Sequence, residues 1–443
     1  IERQLQLCLN KIQTWSTENG FKFSKSKTQC VHFCQLRKHH CDPELFLDGY
    51  KIPVVSEAKF LGVIFDRKLS FVPHIKYLKA ECLKALNILK VVSNTHWGAD
   101  RKVLLRLYRA LIRSKLDYGC IVYGSARKSY LQMLDTIHHQ GLRIALGAFR
   151  TSPVESLYVE ANEPSLYLRS EKLSLQYALR ISANSENPAH EISLHPKYSE
   201  SYEKKPKQIK PFGQRIKSSI EGTDIKFDSI QENTVSDTPP WTIVTPKVIL
   251  DLTKTFKKSE TSPEIFISKI NEIKSKHTDY FQIYTDGSKS DLKVGCAAVS
   301  SLYRSKLCLP DNASIFSAEA KAIDLALKVC SNYHANKYII FSDSLSVLMS
   351  IQNRRMDNPL IQHLLLKLHS LSSTKSIVLC WIPSHIGIKG NEDADILAKQ
   401  AQLLTSSKMK LPYTDFKPNL NTYILSKWQS TWNNACLLYT SPS

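Results

Sequence analysis

The pattern of apolar and polar positions is clearest between residues 279 and 404, where two periods alternate along the chain. Runs in which apolar residues are continuous or occupy every second position predict strands at 279–287, 293–300, 303–309, 337–342 and 376–383. Apolar residues at three- and four-residue steps predict helices at 314–333, 345–353, 359–371 and 391–404. Three early strands followed by alternating elements indicate an α/β domain with a mixed five-stranded sheet flanked by helices.

Upstream of this domain the pattern is mainly helical. Apolar residues recur on one face over 75–92, over 100–116 and after Ser129, which predicts three helices. Away from its apolar face, the second helix carries Lys102, Arg106, Arg109 and Arg113. Positive side chains at this spacing can follow a phosphate backbone, although a solvated helix face is the common alternative. We therefore treat this row as a candidate nucleic-acid contact.

Two stretches lack a core pattern. Residues 185–275 are rich in Ser, Glu, Lys and Pro, which predicts a basic and largely disordered linker. Residues 407–443 are predicted to be an unpatterned tail, and the last of them, 436–443, resemble a translated adapter sequence and are excluded from the fold. The predicted divisions of the chain are 1–75, a helical region at 76–184, the linker at 185–275, the α/β domain at 276–406 and the tail at 407–443.

Composition narrows the class of protein. The 443 residues carry a formal net charge of +20, which favours a polyanionic partner. Eleven cysteines, an odd number lying mostly in apolar segments, indicate reduced thiols and predict an intracellular protein of the cytoplasm or nucleus rather than a secreted one. No run approaches the roughly 20 apolar residues of a membrane span, so no membrane partner is predicted. The chain begins at Ile1 rather than Met, which indicates a fragment.

One group of potential zinc ligands lies near the start of the chain. It comprises Cys30, Cys34, His39, His40 and Cys41. Their spacing fits no common structural zinc pattern, so buried thiols are the favoured interpretation.

Carboxylates in the α/β domain carry the stronger chemical signal. Asp286 ends a predicted strand and precedes Gly287, and Asp343 ends the apolar run from Tyr338 to Phe341. Side chains at the ends of neighbouring strands meet at one edge of a sheet. Taken singly, each has a plainer interpretation, because Thr-Asp-Gly-Ser is often a surface turn and Asp343 could cap the next helix.

A third carboxylate, Glu319, lies on an apolar helix stripe. That stripe comprises Ile315, Ala322, Ala326 and Val329, and Lys321, Asp324 and Lys328 are expected to face away. A carboxylate on such a stripe is costly unless it is paired or binds a metal. Converging carboxylates repel one another and a divalent cation relieves that repulsion, with oxygen ligands favouring Mg²⁺ or Mn²⁺ over zinc.

Five short motifs follow one another along this domain. They are Tyr-Thr-Asp-Gly-Ser at 284–288, Ser-Ala-Glu-Ala at 317–320, Ser-Asp-Ser at 342–344, Trp-Ile-Pro-Ser-His-Ile-Gly at 381–387 and Gly-Asn-Glu-Asp-Ala-Asp at 390–395. In this order they resemble the ribonuclease H family of retrotransposon polyproteins. The resemblance implies that two Mg²⁺ ions, replaceable by Mn²⁺, are held by Asp286, Glu319, Asp343 and Asp395. It also implies that His385 on a mobile loop assists proton transfer or product release.

Contacts to the nucleic acid are implied by the same resemblance. Gly287, Ser288 and Glu319 are expected near the 2′-hydroxyls of the RNA strand. The link from 352 to 359 is too short for the extra basic helix of some family members, so Arg354 and Arg355 are expected to help grip the hybrid. The acids Glu392 and Asp393 are better interpreted as partners of a helix dipole than as ligands.

The first 75 residues contain, in order, Phe-Lys-Phe at 21–23, Lys-Thr-Gln-Cys-Val-His-Phe at 27–33 and Phe-Leu-Gly-Val-Ile-Phe-Asp at 60–66. This order resembles the end of the palm in reverse transcriptases of non-LTR retrotransposons, and the helices after it resemble the thumb. In that family Lys27 lies near the incoming nucleotide and residues 60–62 help to grip the primer end. Such enzymes bind their own metals through an adjacent Asp-Asp pair, and this chain contains no Asp-Asp anywhere. Polymerase activity by this chain alone is therefore not expected.

These observations predict a ribonuclease that cuts the RNA strand of RNA/DNA hybrids by two-metal catalysis. One alternative is a catalytically inactive remnant that binds nucleic acid through its positive charge. The other is a polymerase subunit whose missing Asp-Asp half is supplied by another chain, and the absent pair weighs against it.

Overall fold

A computed structural model describes residues 2–34, 41–94, 96–204, 209–256, 260–291 and 293–439. The chain divides into two compact units. The first unit comprises residues 1–175, 195–219 and 423–443, and the second comprises residues 176–194 and 220–422. No helix among the described residues is long and apolar enough to cross a membrane.

The first part of the chain contains short strands and then a helical region. Helix α1 (Glu2–Glu18) precedes the strands β1 (Cys30–Val31), β2 (Phe46–Leu47), β3 (Tyr50–Lys51), β4 (Val54–Val55), β5 (Glu57–Phe60) and β6 (Val63–Asp66). The helices that follow are α2 (Val72–Val92), α3 (Arg101–Tyr108), α4 (Ser114–Asp117), α5 (Cys120–Tyr123), α6 (Lys128–Leu146), α7 (Val154–Ala161) and α8 (Leu166–Ser182). The three predicted helices of this region are thus present, and a π turn, Arg109–Arg113, separates α3 from α4.

The core of the helical region follows the predicted stripes. Ile75, Leu86, Tyr108, Ile112 and Leu142 are fully buried within it. The close approach of α6 to α3 depends on a glycine. A Cβ at Gly141 would lie 2.7 Å from the Tyr108 ring.

Residues 185–275 differ from the predicted linker, because the described part is largely folded into short elements. The structure has α9 (Ala189–Leu194), α10 (Ser199–Glu203), α11 (Phe212–Glu221), strand β7 (Lys247–Ile249), α12 (Asp251–Thr255) and α13 (Pro263–Ser275). Phe266 and Ile270 of α13 are 1% exposed, so sparse apolar residues suffice when a neighbouring sheet covers them. Two lysines of this basic stretch, Lys205 and Lys207, lie outside the described residues.

The second unit is built on one sheet. Its remaining elements are β8 (Phe281–Lys289), β9 (Val294–Val299), β10 (Arg304–Leu309), α14 (Ile315–Asn332), β11 (Lys337–Ser342), α15 (Leu345–Gln352), α16 (Pro359–Leu371), β12 (Ser376–Trp381) and α17 (Lys389–Ala401). The strand order is β10-β9-β8-β11-β12-β7. β8, β9 and β10 pair antiparallel, whereas β11, β12 and β7 continue parallel to β8. Each predicted element is present, and the mixed sheet confirms the predicted fold class.

The sheet has six strands rather than five. The added strand, β7, comes from the region predicted to be a linker and pairs with β12. Its three residues are too few to show an apolar period, and they form a strand because they pair with the exposed edge of β12. The predicted tail also contains a helix, α18 (Lys417–Tyr439).

Candidate metal centre

Two aspartates meet at one edge of the sheet because of the parallel pairing of β8 and β11. Phe341 pairs with Tyr284 and Ser342 pairs with Thr285. Asp286 and Asp343 each follow the last of these paired positions, so they lie side by side. Thr285 donates its hydroxyl hydrogen to the carbonyl of Phe341 at 3.2 Å, which adds a side-chain bond between the strands next to the aspartates.

Glu319 reaches the same place because α14 packs closely on β8. A Cβ on Gly287 would lie 2.9 Å from the Ala318 side chain and 2.9 Å from the Glu319 backbone nitrogen. These distances are shorter than any ordinary contact, so only glycine lets the helix backbone approach the strand here. The second turn of α14 therefore presents Glu319 to the two aspartates.

The three carboxylates form the group of potential metal ligands that the structure brings together. One oxygen each from Asp286, Glu319 and Asp343 lies within 4.8 Å of the others. Asp286 and Glu319 are 6% and 7% exposed, and Asp343 is half-buried. The Glu319 Oε2 atom is buried without a hydrogen-bond partner among the described residues. Such an oxygen fits the binding of a divalent cation, because carboxylate oxygens are the ligands Mg²⁺ prefers.

The electrostatics of the group agree with this fit. Burial, with the nearby Asp343 and Asp395 carboxylates, raises the pKa of Asp286 to about 8. Burial also raises the pKa of Glu319 well above its ordinary value, and Asp343 and Asp286 add to the effect. The backbone N–H of Gly287 opposes both pKa shifts. A cation between these groups would oppose the rise of both pKa values, because it stabilises the ionised form of each carboxyl group.

Asp395 lies beside this group on α17. The helix packs closely on the sheet, since a Cβ at Gly295 would lie 2.2 Å from the Ala398 carbonyl oxygen and one at Gly390 would lie 2.4 Å from the Tyr284 ring. Asp395 forms an ion pair with Lys399 at 2.8 Å. Its effect on the Asp286 pKa places it within electrostatic reach, although it is outside the group of three.

His385 lies in the loop between β12 and α17. It is exposed, and its φ of 55° is in the left-handed region that non-glycine residues seldom adopt. The neighbouring Gly387 also has a positive φ, of 85°. Of the acids in the first part of α17, Glu392 is exposed and Asp393 is half-buried.

The residues of this unit that are predicted to contact nucleic acid differ in their exposure. Ser288 is half-buried and its hydroxyl accepts a bond from Gln402 Nε2 at 3.1 Å. Arg354 and Arg355 are exposed in the link between α15 and α16, and Arg354 has a positive φ of 52°. This link contains no further helix, as its length predicted.

In the first unit the predicted basic row is divided. Lys102 and Arg106 are exposed. Arg109 Nε lies 2.5 Å and Arg113 Nη1 lies 2.6 Å from Oε1 of Glu163, whose side chain is 3% exposed. The two arginines are therefore paired with one buried acid some fifty residues downstream, and contact of the row with phosphate stays a prediction.

The candidate zinc group receives no support from the described residues. Cys30 and Cys34 are half-buried and Cys41 is exposed, so the interpretation as buried thiols is wrong for Cys41. The three cysteines belong to no group of three potential metal ligands in the described part of the chain. His39 and His40 lie outside the described residues.

The contacts of three residues in the second unit were missed in the sequence, and two of these residues, Trp381 and Asp415, bond elements that carry the site. Trp381 donates its indole N–H to the Asp343 backbone carbonyl at 3.0 Å. Asp324, expected to face away from the core, is 2% exposed and bonds Lys321, His363 and Lys367. The third missed residue, Asp415, accepts hydrogen bonds at the start of α14. The predicted stripe also needs a correction at Ile315, which was assigned to the buried side and is 48% exposed.

Residues 278–402 match the family model described as RNase H. Together with the mixed sheet and its carboxylates, this match makes this part of the chain a ribonuclease H domain, as its motifs predicted.

The relatives of the chain are polyproteins of mobile elements. It is 29% identical over 158 residues to a Retrovirus-related Pol polyprotein from type-1 retrotransposable element R1 of Bradysia coprophila, which covers 34% of this chain and 15% of that protein. Its identity to the R1 polyprotein of Nasonia vitripennis is 24%, covering 36% of this chain and 49% of the relative. Its identity to the RNA-directed DNA polymerase from mobile element jockey of Drosophila melanogaster is 27%, and the match covers 42% of this chain and 20% of the relative.

These matches span at most about half the length of the relatives named here. They confirm the predicted resemblance to the polyproteins of non-LTR retrotransposons.

Proposed function

We propose that the second unit hydrolyses the RNA strand of RNA/DNA hybrids with two bound Mg²⁺ ions, for which Mn²⁺ can substitute. The observation that carries the proposal is the buried Oε2 of Glu319, which has no partner among the described residues and lies in a group with Asp286 and Asp343. A buried carboxylate of this kind is retained at a cost unless a ligand satisfies it. The RNase H match supports a divalent metal as that ligand, because the family typically uses one.

The proposed ligands are Asp286, Glu319, Asp343 and Asp395. When bound, two divalent ions activate a water molecule for attack on a phosphodiester and stabilise the leaving oxygen. The strand ends hold Asp286 and Asp343 in fixed positions, and α14 holds Glu319 against them. Asp395 contributes from α17, where its present partner Lys399 is a flexible and mostly exposed side chain that can move away.

The remaining proposed roles concern proton movement and substrate. His385 is exposed on its loop, so its imidazole is free to approach the leaving group or the product. Gly287 and Ser288 lie next to Asp286 and are proposed to contact the 2′-hydroxyls that distinguish RNA from DNA. Arg354 and Arg355, and Lys102 and Arg106 in the first unit, are proposed to contact phosphates. The cut would leave a 3′-hydroxyl and a 5′-phosphate.

The test is cleavage of an end-labelled RNA/DNA hybrid by the full chain in Mg²⁺. We expect cuts in the RNA strand that disappear with a chelator and in the Asp343→Asn variant. The matched control is Asp393→Asn, which removes an acid from the first part of α17 outside the carboxylate group and should retain activity. Loss of cleavage in the control to the same extent as in Asp343→Asn would contradict the assigned ligands.

The second candidate function is binding without cleavage. It is favoured by the net charge of +20 and by the exposed basic side chains of both units. In this case the folded wild-type chain would bind the hybrid in a salt-dependent way and never cut it. That result would replace the nuclease proposal with that of an inactive nucleic-acid-binding remnant.

A further inference from the structure

The helix that carries Glu319 begins at a carboxylate from outside the matched RNase H region. Asp415 lies beyond residue 402, where the family match ends. Its Oδ2 accepts hydrogen bonds from the Ser314 backbone N–H at 3.1 Å and from the Ser317 hydroxyl at 2.6 Å. Its Oδ1 accepts a third from the Ser314 hydroxyl at 2.9 Å. Ser314 is the N-cap of α14, and its hydroxyl oxygen also accepts from the Ser317 N–H.

Asp415 is held in place from both sides. Leu411 and Phe416 are each 1% exposed. The backbone of Leu411 forms two hydrogen bonds with the upstream segment, accepting from Gln231 at 2.7 Å and donating to Ser229 at 2.9 Å. Asp415 itself is 4% exposed. The carboxylate is therefore a fixed part of the second unit, although the sequence predicted an unpatterned tail here.

The first turn of α14 is thus fixed by two independent contacts. Asp415 bonds Ser314 and Ser317, and the following residues, Ala318 and Glu319, pack against the backbone of Gly287. Glu319 has one carboxylate oxygen with no hydrogen-bond partner among the described residues. The position of its side chain accordingly depends on where this turn lies rather than on a direct partner for that oxygen. The negative charge of Asp415 also lies at the positive N-terminal end of the α14 dipole, where an anion is stabilising.

We propose that Asp415 is a positioning residue for the metal centre, which fixes the first turn of α14 so that Glu319 meets Asp286 and Asp343. This inference rests on the proposed function for the identity of the ligand. It extends the working nuclease beyond the region that the family model covers. Asp415 touches neither substrate nor metal, and acts through the helix.

The experiment compares the wild-type full chain with Asp415→Ala and Asp415→Asn. Removal of a residue that orients a metal ligand typically costs about 10- to 100-fold in metal affinity or activity. For Asp415→Ala we expect kcat on the hybrid to fall at least about tenfold, KM for the hybrid to change less than about twofold, and Mn²⁺ affinity to fall about tenfold. Asparagine keeps the shape and one acceptor oxygen, so Asp415→Asn should give an intermediate loss.

The matched control is Asp324→Asn, which removes another buried carboxylate from the same helix. Asp324 contacts Lys321, His363 and Lys367 rather than the first turn. Its loss leaves the half-buried Lys321 and Lys367 without their carboxylate partner and should destabilise the unit at least as much as the loss of Asp415. All variants are assayed at a temperature where circular dichroism shows them folded. We expect the control to retain wild-type kcat and Mn²⁺ affinity.

Two results would overturn the positioning role. One is equal losses of kcat and Mn²⁺ affinity in Asp324→Asn and the Asp415 variants, which would mean that stability alone is responsible. The other is unchanged kcat and Mn²⁺ affinity in folded Asp415→Asn and Asp415→Ala. If the wild type binds Mn²⁺ but never cuts, the proposed function fails and the Mn²⁺ affinities still decide the role of Asp415. A wild type that binds no Mn²⁺ overturns both proposals.

Discussion

The carboxylates around Asp286 and the arginines around Glu163 are two buried charge groups with opposite internal balance. In the first, Asp286, Glu319 and Asp343 are together, and burial and mutual repulsion raise the pKa values of Asp286 and Glu319. In the second, one buried carboxylate accepts bonds from Arg109 and Arg113. The first group contains only carboxylates, whereas in the second each arginine is paired with a carboxylate.

The charges of the neighbouring side chains distinguish a candidate ligand site from a structural ion pair. Both groups look like candidate nucleic-acid or metal sites in the sequence, since charged residues recur at helical or strand-end positions in each. Only the partners distinguish them. A like-charge buried group favours a ligand of opposite charge, whereas in an opposite-charge group the removal of one partner leaves the other charge uncompensated.

Removal of one carboxylate from the acidic group should have the largest effect. Asp286→Asn is expected to lower cleavage on the order of 1000-fold, because a lost metal contact costs several kcal/mol of transition-state stabilisation. The same variant should be more stable than the wild type without metal at pH 8, since a repulsive charge is gone. Thermal unfolding in a chelator, measured beside the cleavage assay, checks both expectations. If Asp286→Asn is inactive and also less stable than the wild type in the chelator, the carboxylates do not destabilise the fold by repelling one another.

Removal of the carboxylate from the second group should lower stability, whereas removal of Asp286 from the first should raise it. Glu163→Gln is expected to lower the free energy of unfolding by about 3 kcal/mol, because Arg109 and Arg113 lose the buried partner of their ion pairs. Denaturant unfolding of the full chain, followed in parallel with Mn²⁺ affinity, provides the measurement. We expect the metal affinity to be unchanged. A fall in Mn²⁺ affinity in folded Glu163→Gln would break the distinction between the two groups.

The acidic group should also make stability depend on pH. Asp286 holds its proton more tightly in the folded chain, with a pKa of about 8, than in the unfolded chain, with an ordinary value of 3.8. Its contribution to stability is therefore present below about pH 4 and is lost as pH rises towards 8. Without metal, we expect Tm of the wild type to fall relative to Asp286→Asn over this range, by roughly 2–4 °C for each kcal/mol lost. Saturating Mg²⁺ should make Tm depend on pH with the same slope in the wild type and in Asp286→Asn. Equal slopes in the absence of metal would contradict the raised pKa of Asp286.

A smaller effect is expected at Trp381, whose indole N–H donates to the Asp343 carbonyl. Trp381→Phe keeps an aromatic ring and removes the donor, which typically costs about 1 kcal/mol. If that cost falls on the position of Asp343, kcat should fall about fivefold with KM for the hybrid unchanged. The substitution should have little effect on affinity for the hybrid measured without Mn²⁺. An unchanged kcat would show that the strand alone fixes Asp343.

The smallest effect should come from the exposed part of the basic row. Arg106→Gln is expected to weaken hybrid binding and to reduce the slope of log affinity against log salt by about 0.9 if it contacts one phosphate. Arg109→Gln is the matched variant from the same row, and it should leave the salt slope unchanged because Glu163 already neutralises that side chain. The same reduction in both variants would contradict the division of the row.

Much of the α/β domain could be predicted from the sequence because its signals are local. The strands and helices follow from the period of apolar residues, and Asp286 and Asp343 follow from their places at strand ends. Glu319 was identified by its burial on a helix, even though part of the stripe was wrong. Its neighbour Asp324 shows why, because a buried acid with lysine and histidine partners resembles a surface acid until α16 is in place.

The features that could not be predicted depend on residues distant in the chain. Strand β7 forms by pairing with β12, Glu163 reaches arginines some fifty residues upstream, and Asp415 caps a helix about a hundred residues before it. None of these partners carries a period or motif of its own. Their structure comes from burial against another element, which no local pattern records.

The most direct test of a carboxylate metal centre is a Mn²⁺ titration of the full chain followed by the electron paramagnetic resonance signal of free Mn²⁺. The samples are the wild type, Asp286→Asn and Asp324→Asn, the last two each lacking one buried carboxylate of the same unit. We predict that the wild type and Asp324→Asn bind Mn²⁺ equally and that Asp286→Asn binds at least about tenfold more weakly. Equal binding by all three, or no binding by the wild type, would contradict the metal centre.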